Sequence, residues 1–296
     1  MSRKLNLALI QQQCNADPST NRVTITNAIR TAAEQHAQLV VLQELHNSYY
    51  FCQSEDNRKF DLAESIPGPS SEYFGALAAE LGIVIVTSLF ERRAAGLYHN
   101  TAVVLDSDGR IAGQYRKMHI PDDPGYYEKF YFTPGDQGFE PINTSVGRLG
   151  IMVCWDQWFP EAARLMALAG AELLIYPTAI GWDQQDDDAE QQRQLDAWIT
   201  VQRGHAISNG LPVISCNRTG FEAHPDNPAT GIQFWGSSFV TGPQGELLAR
   251  ASTDQSETLL ASINPGYNEE VRRIWPFLRD RRIDAYHELL QRYRDQ

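Results

Sequence analysis

Short apolar runs alternate along this chain with longer stretches in which apolar residues recur every three or four positions, the two periods of strands and helices. The run "LNLALIQQQ" reads as a first strand. After "ADPST", Ile25, Ala28, Ile29, Ala32 and His36 recur at helical spacing, with Ser19 or Thr20 available as the N-cap. "QLVVLQE" carries four consecutive apolar residues, which suits a strand covered on both faces. The loop "SIPGPSS" leads into "EYFGALAAELG", where Tyr73, Phe74, Leu77, Ala78 and Leu81 share a helical face and Gly82 stops the helix. "IVIVTSLF" follows as the next strand.

Two hairpins stand out further on. "NTAVVLDSDGRIAGQYRKMHI" reads as two strands about a "DSDG" turn, and "GSSFVTGPQGELLARAS" repeats the pattern about "GPQG". The repetition points to two related halves. Between them, "RLGIMVC" is a strand, a helix runs from Pro160, a good first-turn residue, to near Gly170, and "ELLIYPTA" is a strand again. A strand, a helix and a parallel strand in this order form a right-handed crossover. In "DDDAEQQRQLDAWITVQRGHAISNG", Leu195, Trp198, Ile199, Gln202 and Ala206 share a face before Gly210, and "LPVISCN" resumes the sheet. No linker or shift in composition divides residues 1–296, so the expectation is one domain. Residues 266–296 are charge-rich and partly helical, an arm that packs across the body or onto another subunit.

Composition narrows the class. A net charge of -12 argues against a nucleic-acid partner, which needs a basic face to neutralise phosphates. The four cysteines are far apart, with no CxxC pair and no histidine spacing that reads as a metal site. They are expected as free thiols in a reducing compartment. The apolar run near the start spans about six residues, short of a secretory core, and no run approaches the ~18 apolar residues of a membrane span. The expectation is a cytoplasmic, soluble protein with no membrane partner, no metal and no organic cofactor.

Three residues at strand ends carry the candidate chemistry. Glu44 closes "LVVLQE", Lys117 follows "IAGQYR", and Cys154 closes "RLGIMVC". In open α/β sheets ligands sit beyond the carboxyl ends of strands. Each residue alone has an ordinary explanation: a loop carboxylate, a solvated cation, a small core hydrophobe. Together they supply what a nucleophilic thiol needs. A free cysteine is only a few per cent thiolate at neutral pH, so Glu44 could take its proton while Lys117 stabilises the thiolate and then an oxyanion. Histidine is the alternative partner, from His46, His99, His119 or His205, with His119 two residues beyond Lys117.

The blocks "VVLQE", "YRKMHIPDDPGYYEKFYFTPGD" and "GIMVCWDQWFPEAARLMALAGAELLIYPTAI" resemble the three signature blocks of the nitrilase superfamily of carbon-nitrogen hydrolases, carrying its Glu, Lys and Cys in order. The resemblance implies an α/β fold, a four-layer αββα sandwich with internal pseudo-two-fold symmetry, assembled as a homodimer or higher homo-oligomer. It assigns Glu44 as general base, Lys117 as oxyanion-stabilising cation and Cys154 as nucleophile. Glu128 matches a second glutamate set against the lysine and the substrate.

Within the superfamily, "HIPDDPGYYEKFYFTPGDQGF", "CWDQWFPEAARLMALAGAE" and "RIWPFLRDRRIDAY" most resemble the branch that hydrolyses N-carbamoylputrescine on the agmatine route to putrescine. The implied partner is a small cationic ureido compound, whose pocket needs a thiol, an apolar sleeve and an acid. Burying four methylenes contributes about 3 kcal/mol at roughly 0.8 each. Trp155, Tyr126, Tyr127 and Trp182 are sleeve candidates; Asp122, Asp123 and Asp183, with Asp186, Asp187 and Asp188 beyond, are candidates for the ammonium. A carbamoyl amino acid such as β-ureidopropionate would instead want an arginine fork, for which Arg218 is available. An ω-amidase and a non-catalytic binding protein on the same fold are the remaining alternatives.

Overall fold

The computed structural model describes residues 4–295. Strand β1 (Leu5–Gln11) sends Leu5, Leu7 and Leu9 into a core between two sheets, while Ala8 and Ile10 face the other way, beneath helices. Helix α1 (Pro18–Glu34) follows, capped by Asp17, whose carboxylate accepts from the Ser19 and Thr20 N–H groups at 3.1 Å each. Ser19 and Thr20 therefore lie inside the first turn and do not cap it, because Pro18 is already preorganised for the helix. His36 sits past the helix end at φ 66°.

Strand β2 (Leu39–Leu42), helix α2 (Pro69–Leu81), strand β3 (Val84–Ala94) and the hairpin β4 (Leu97–Leu105) and β5 (Ile111–Arg116) complete the first half. Gly82 ends α2 in the left-handed conformation. The chain then forms the single turn α3 (Glu128–Tyr131), β6 (Ile142–Thr144), β7 (Gly147–Ile151), α4 (Pro160–Leu168), β8 (Leu173–Pro177), β9 (Gly181–Asp183), α5 (Asp188–Asn209) and β10 (Val213–Cys216). β11 (Thr219–His224), β12 (Asn227–Trp235), β13 (Phe239–Thr241), β14 (Leu247–Arg250), β15 (Glu257–Ile263) and α6 (Tyr267–Ile274) close the order.

The two large sheets run β15-β1-β2-β3-β4-β5 and β6-β7-β8-β10-β13-β14. Each has an antiparallel edge strand, three parallel strands joined by two helices, and a final antiparallel pair. The "DSDG" and "GPQG" turns occupy equivalent places in this repeat. Leu7, Leu9, Leu39 and Val41 of one sheet share a core with Leu173, Ile175 and Ile214 of the other. Ile25, Ile29, Phe74 and Leu77 cover the outer face of the first sheet, and Ala162, Ala163 and Met166 belong with the second. The result is a four-layer αββα sandwich. A small sheet, β11-β12-β9, stands apart from these two. Ile274 at the end of α6, and Trp275, Ile283, Leu289 and Leu290 of the arm beyond it, are exposed.

Candidate active site

β1, β2 and β3 run parallel, and two antiparallel pairings bring β5 back to the same direction. Glu44, two residues past β2, and Lys117, directly after β5, therefore emerge at one edge of the first sheet. Cys154 comes from the second sheet. It does not end its strand as the apolar run suggested: β7 stops at Ile151, and Cys154 opens a tight turn through Trp158 at φ 44°. Met152 and Val153 are apolar because the inter-sheet core surrounds them, not because they extend a strand.

Lys117, Glu44 and Glu128 are all buried. The Lys117 ammonium donates to Glu44 Oε1 at 2.8 Å and to Glu128 Oε2 at 2.7 Å. Asn100 donates a second bond to Glu44 Oε1 at 2.7 Å, and the Tyr50 hydroxyl donates to Glu128 Oε1 at 2.7 Å. Three carboxylate oxygens are thus occupied, and Glu44 Oε2 is buried with no hydrogen-bond partner. Such an oxygen is an open proton acceptor.

The electrostatics agree with that geometry. Burial pushes the Cys154 thiol well above its ordinary value, and Glu44 reinforces the shift while Lys117 opposes it. Burial alone would lower Lys117, yet Glu128 and Glu44 overcome it and hold the ammonium well above the usual lysine range. Glu128 is pushed up to about 7 by burial, against the pull of Lys117. The thiol is therefore protonated at rest, and any use of it as a nucleophile would require a base.

The turn that carries Cys154 is bolted to the strand that carries Lys117. Asp156, fully buried, accepts from Val153 N–H at 2.9 Å and Tyr115 O–H at 2.8 Å on one oxygen. Its other oxygen meets His119 N–H at 3.1 Å and His119 Nδ1 at 2.7 Å. His119 is also stacked on Phe159 with ring centroids 3.7 Å apart. His46 bonds Thr87, His99 bonds the Thr133 carbonyl, and His205 bonds the Gln157 carbonyl. Among the described residues no histidine is hydrogen-bonded to Cys154, so the Cys/His alternative has no contact behind it. The sulfur lies 3.8 Å from the Ala179 carbonyl.

A cavity of about 550 Å³ opens above the thiol, lined in part by Cys154, Glu128, Trp155, Tyr126, Trp158 and Trp235. Asp123, Asp183 and Asp186 also line it, and among the described residues no lysine or arginine does. Tyr127 does not line the cavity. A turn closed by Tyr126 N–H to the Asp123 carbonyl presents Tyr126 there instead, its hydroxyl 3.0 Å from the Gly181 N–H. Asp122 also lies outside, exposed and 4.0 Å from Lys129. Asp187 caps α5, and the Trp182 indole donates to the Gln191 carbonyl beside Trp235. Arg218 is buried and committed to protein partners, so it offers no fork to a ligand. Asn100, Tyr50 and Asp156 escaped sequence reasoning; Asn100 stands at the head of the apolar run "TAVVL" and Asp156 two residues past Cys154, whereas Tyr50 carried no signal. Among the described residues no group of three or more His, Cys, Asp or Glu could hold a metal ion, and no helix is long and apolar enough to cross a membrane.

The sequence pattern of the carbon-nitrogen hydrolase family matches residues 6–273. The chain is 43% identical to the N-carbamoylputrescine amidase of Solanum lycopersicum, over 98% of this chain and 96% of that protein. It is 39% identical to the citrullinase of Francisella tularensis, over 98% of this chain and 99% of that protein. The crystal structure of a carbon-nitrogen hydrolase from Helicobacter pylori G27 superimposes with a TM-score of 0.96 at 56% identity, covering 99% of this chain and 100% of that one.

Proposed function

Since this chain belongs to the carbon-nitrogen hydrolase family and is a hydrolase of amide or ureido bonds, we propose that its substrate is N-carbamoylputrescine, cleaved through a Cys154-bound carbamoyl group. The observation that carries this reading is the cavity: a thiol at its foot beside a lysine gripped by two carboxylates, aromatic walls, and lining charges that are all acidic. A ureido head, four methylenes and a terminal ammonium match those three regions in order.

Glu44 takes the thiol proton on its open oxygen as the sulfur attacks the ureido carbon. The carbonyl electrons move to oxygen, where Lys117 and the Trp155 backbone N–H hold the negative charge. Protonated Glu44 then gives its proton to the departing nitrogen. With putrescine released, the thiol carries –C(=O)–NH2. Glu44 next removes a proton from water, the hydroxide attacks the carbamoyl carbon, the carbon–sulfur bond breaks, and protonated Glu44 returns its proton to the sulfur, restoring the thiol and the carboxylate. The freed carbamate falls to carbon dioxide and ammonia, so one water is consumed per putrescine, carbon dioxide and ammonia. Glu128 keeps the Lys117 ammonium aimed between the carboxylates.

The citrullinase relative makes citrulline the second reading, since it has the same ureido head. Its carboxylate, like that of β-ureidopropionate, would want a cation, and among the described residues the cavity wall offers none. Ammonia release from N-carbamoylputrescine, citrulline, β-ureidopropionate and a simple ω-amide tests the assignment. N-carbamoylputrescine should give the largest kcat/KM by at least tenfold; faster turnover of either carboxylate would overturn it. This activity fits a place in putrescine formation from agmatine. Four unpaired, buried cysteines support a cytoplasmic setting, and the exposed Trp275, Ile283 and Leu289 of the arm support a second copy of the chain as its cover.

A further inference from the structure

Arg218 and Glu222 form an ion pair at 2.6 Å with both side chains fully buried. Both come from the second half of the molecule, Arg218 two residues past β10 and Glu222 within β11. Their partners lie on the first half. Arg218 Nη2 donates to the Glu44 carbonyl at 3.0 Å and the Leu45 carbonyl at 2.8 Å, and Nη1 reaches the Ser48 carbonyl at 2.9 Å. Leu45 is held at φ 49°, a conformation that a branched side chain adopts only when its surroundings impose it. That turn points both carbonyls at one guanidinium. The other end of the pair continues to Glu128: Glu222 Oε2 accepts the Tyr50 N–H at 2.5 Å, and the Tyr50 hydroxyl bonds Glu128 Oε1 at 2.7 Å.

We propose that the Arg218–Glu222 pair is a positioning device that sets Glu44 and Glu128 about Lys117 from the opposite half of the sandwich. The claim rests on the reading of Glu44, Lys117 and Cys154 as the working triad. A pair that served folding alone could bond any backbone nearby. This one bonds the carbonyl of the candidate base itself, that of the next residue, and the residue that orients the second carboxylate. Being neutral as a pair, it does so without altering the net charge of the site.

The test compares Arg218→Lys, Glu222→Gln and the double variant Arg218→Met/Glu222→Leu, which leaves no unpaired buried charge. Ammonia release is measured on the ureido compound or amide that the wild type turns over fastest, beside melting temperature. A displacement near 1 Å costs about 10²-fold, so the double variant should lose about that in kcat with KM within about threefold. Arg218→Lys should recover part of the loss, because one ammonium still reaches some of the carbonyls. If the double variant does not fold, Glu222→Gln, which keeps the shape, should still lower kcat about tenfold. Folded variants with kcat within threefold of wild type, whatever their melting temperature, would overturn the proposal. Cys154→Ala run in parallel separates the two readings: residual turnover there defeats the triad, whereas a dead Cys154→Ala with an active double variant defeats only the positioning claim.

Discussion

Replacing Asp156 by asparagine tests whether the buried carboxylate between Cys154 and Lys117 holds the site together. In the wild type each oxygen of Asp156 faces two donors: Val153 N–H and Tyr115 O–H on one, His119 N–H and Nδ1 on the other. An amide keeps one oxygen and turns an NH2 toward the second pair. The Tyr115 hydroxyl or the His119 ring can reverse its role and accept, but a backbone N–H cannot. One buried backbone donor is left without a partner at about 1–3 kcal/mol, and the surviving bonds lose their charge assistance, roughly 1 kcal/mol more. The total is about 2–4 kcal/mol. At an unfolding entropy of about 2.1 cal/mol/K per residue, a chain of 296 residues loses roughly 1.6 °C per kcal/mol, so the melting temperature should fall by roughly 3–6 °C. Catalysis should suffer more than stability. The Val153 bond sets the Cys154 turn and the His119 bonds set the strand end at Lys117, so their relative placement loosens and kcat should drop about 10²-fold with KM within about threefold. Scanning fluorimetry gives the first quantity, and ammonia release at a temperature below the melting onset that fluorimetry finds gives the second from folded enzyme. Melting within 1 °C of wild type together with kcat within twofold would refute the reasoning.

Other expectations concern the triad. Cys154→Ala and Cys154→Ser should abolish turnover, because no other group of comparable nucleophilicity replaces the thiol. Glu44→Gln should fold normally, since its amide oxygen can still accept from Lys117 and Asn100, yet lose at least about 10²-fold in kcat; near-wild-type turnover of any of these ends the assigned role. Because burial raises the Cys154 value, its thiolate is scarcer at pH 7 than that of free cysteine. Iodoacetamide should label it more slowly than free cysteine, with a rate rising about tenfold per pH unit through pH 9; a plateau below pH 8 in intact-mass kinetics contradicts that. Glu128 is pushed up by burial to about 7 from 4.5, so the folded state binds its proton more tightly than the unfolded state does. Its contribution to stability is complete below about pH 4.5 and is lost as pH rises through 7, the reverse of a carboxylate whose value an ion pair has lowered below the ordinary range. Glu128→Gln should flatten the melting temperature across that window, and an unchanged pH dependence argues against the shift.

The family resemblance implied the sandwich, and the residues themselves showed two traces of it: a hairpin repeated in each half, and a strand covered on both faces, such as "LVVL", which must be buried at any register. Glu44, Lys117 and Cys154 were visible for a related reason: a charged or reactive residue at the end of an apolar strand has left the core but not its neighbourhood. Finer placement was hidden. Met152 and Val153 read as strand because burial and extension look alike in a one-dimensional pattern, so the turn at Cys154 escaped notice. Tyr126 and Tyr127, or Asp122 and Asp123, differ only in which way one turn presents them, and adjacent residues of like type carry no sign of it. Arg218 looked like a ligand for a carboxylate because a lone arginine near a strand end suits that role. Its true partners are backbone carbonyls, which no side-chain sequence records.

This last point bears on how the site comes into being. Glu44 and Lys117 stand on the first sheet, Cys154 and Arg218 on the second, and each half alone supplies an incomplete set. The thiol acquires its lysine only when the inner faces close over Leu7, Leu39, Leu173 and Ile175, which fixes the register of one sheet on the other. Asp156 and the Arg218–Glu222 pair are polar ties across that seam next to the reactive groups, one to the strand end at Lys117 and the other to the loop of Glu44. Buried, directional contacts of this kind add little net stability, but they admit one arrangement of the two sheets where apolar packing alone would tolerate several. The placement of the reactive groups therefore depends on a few hydrogen bonds that the hydrophobic pattern neither requires nor reveals.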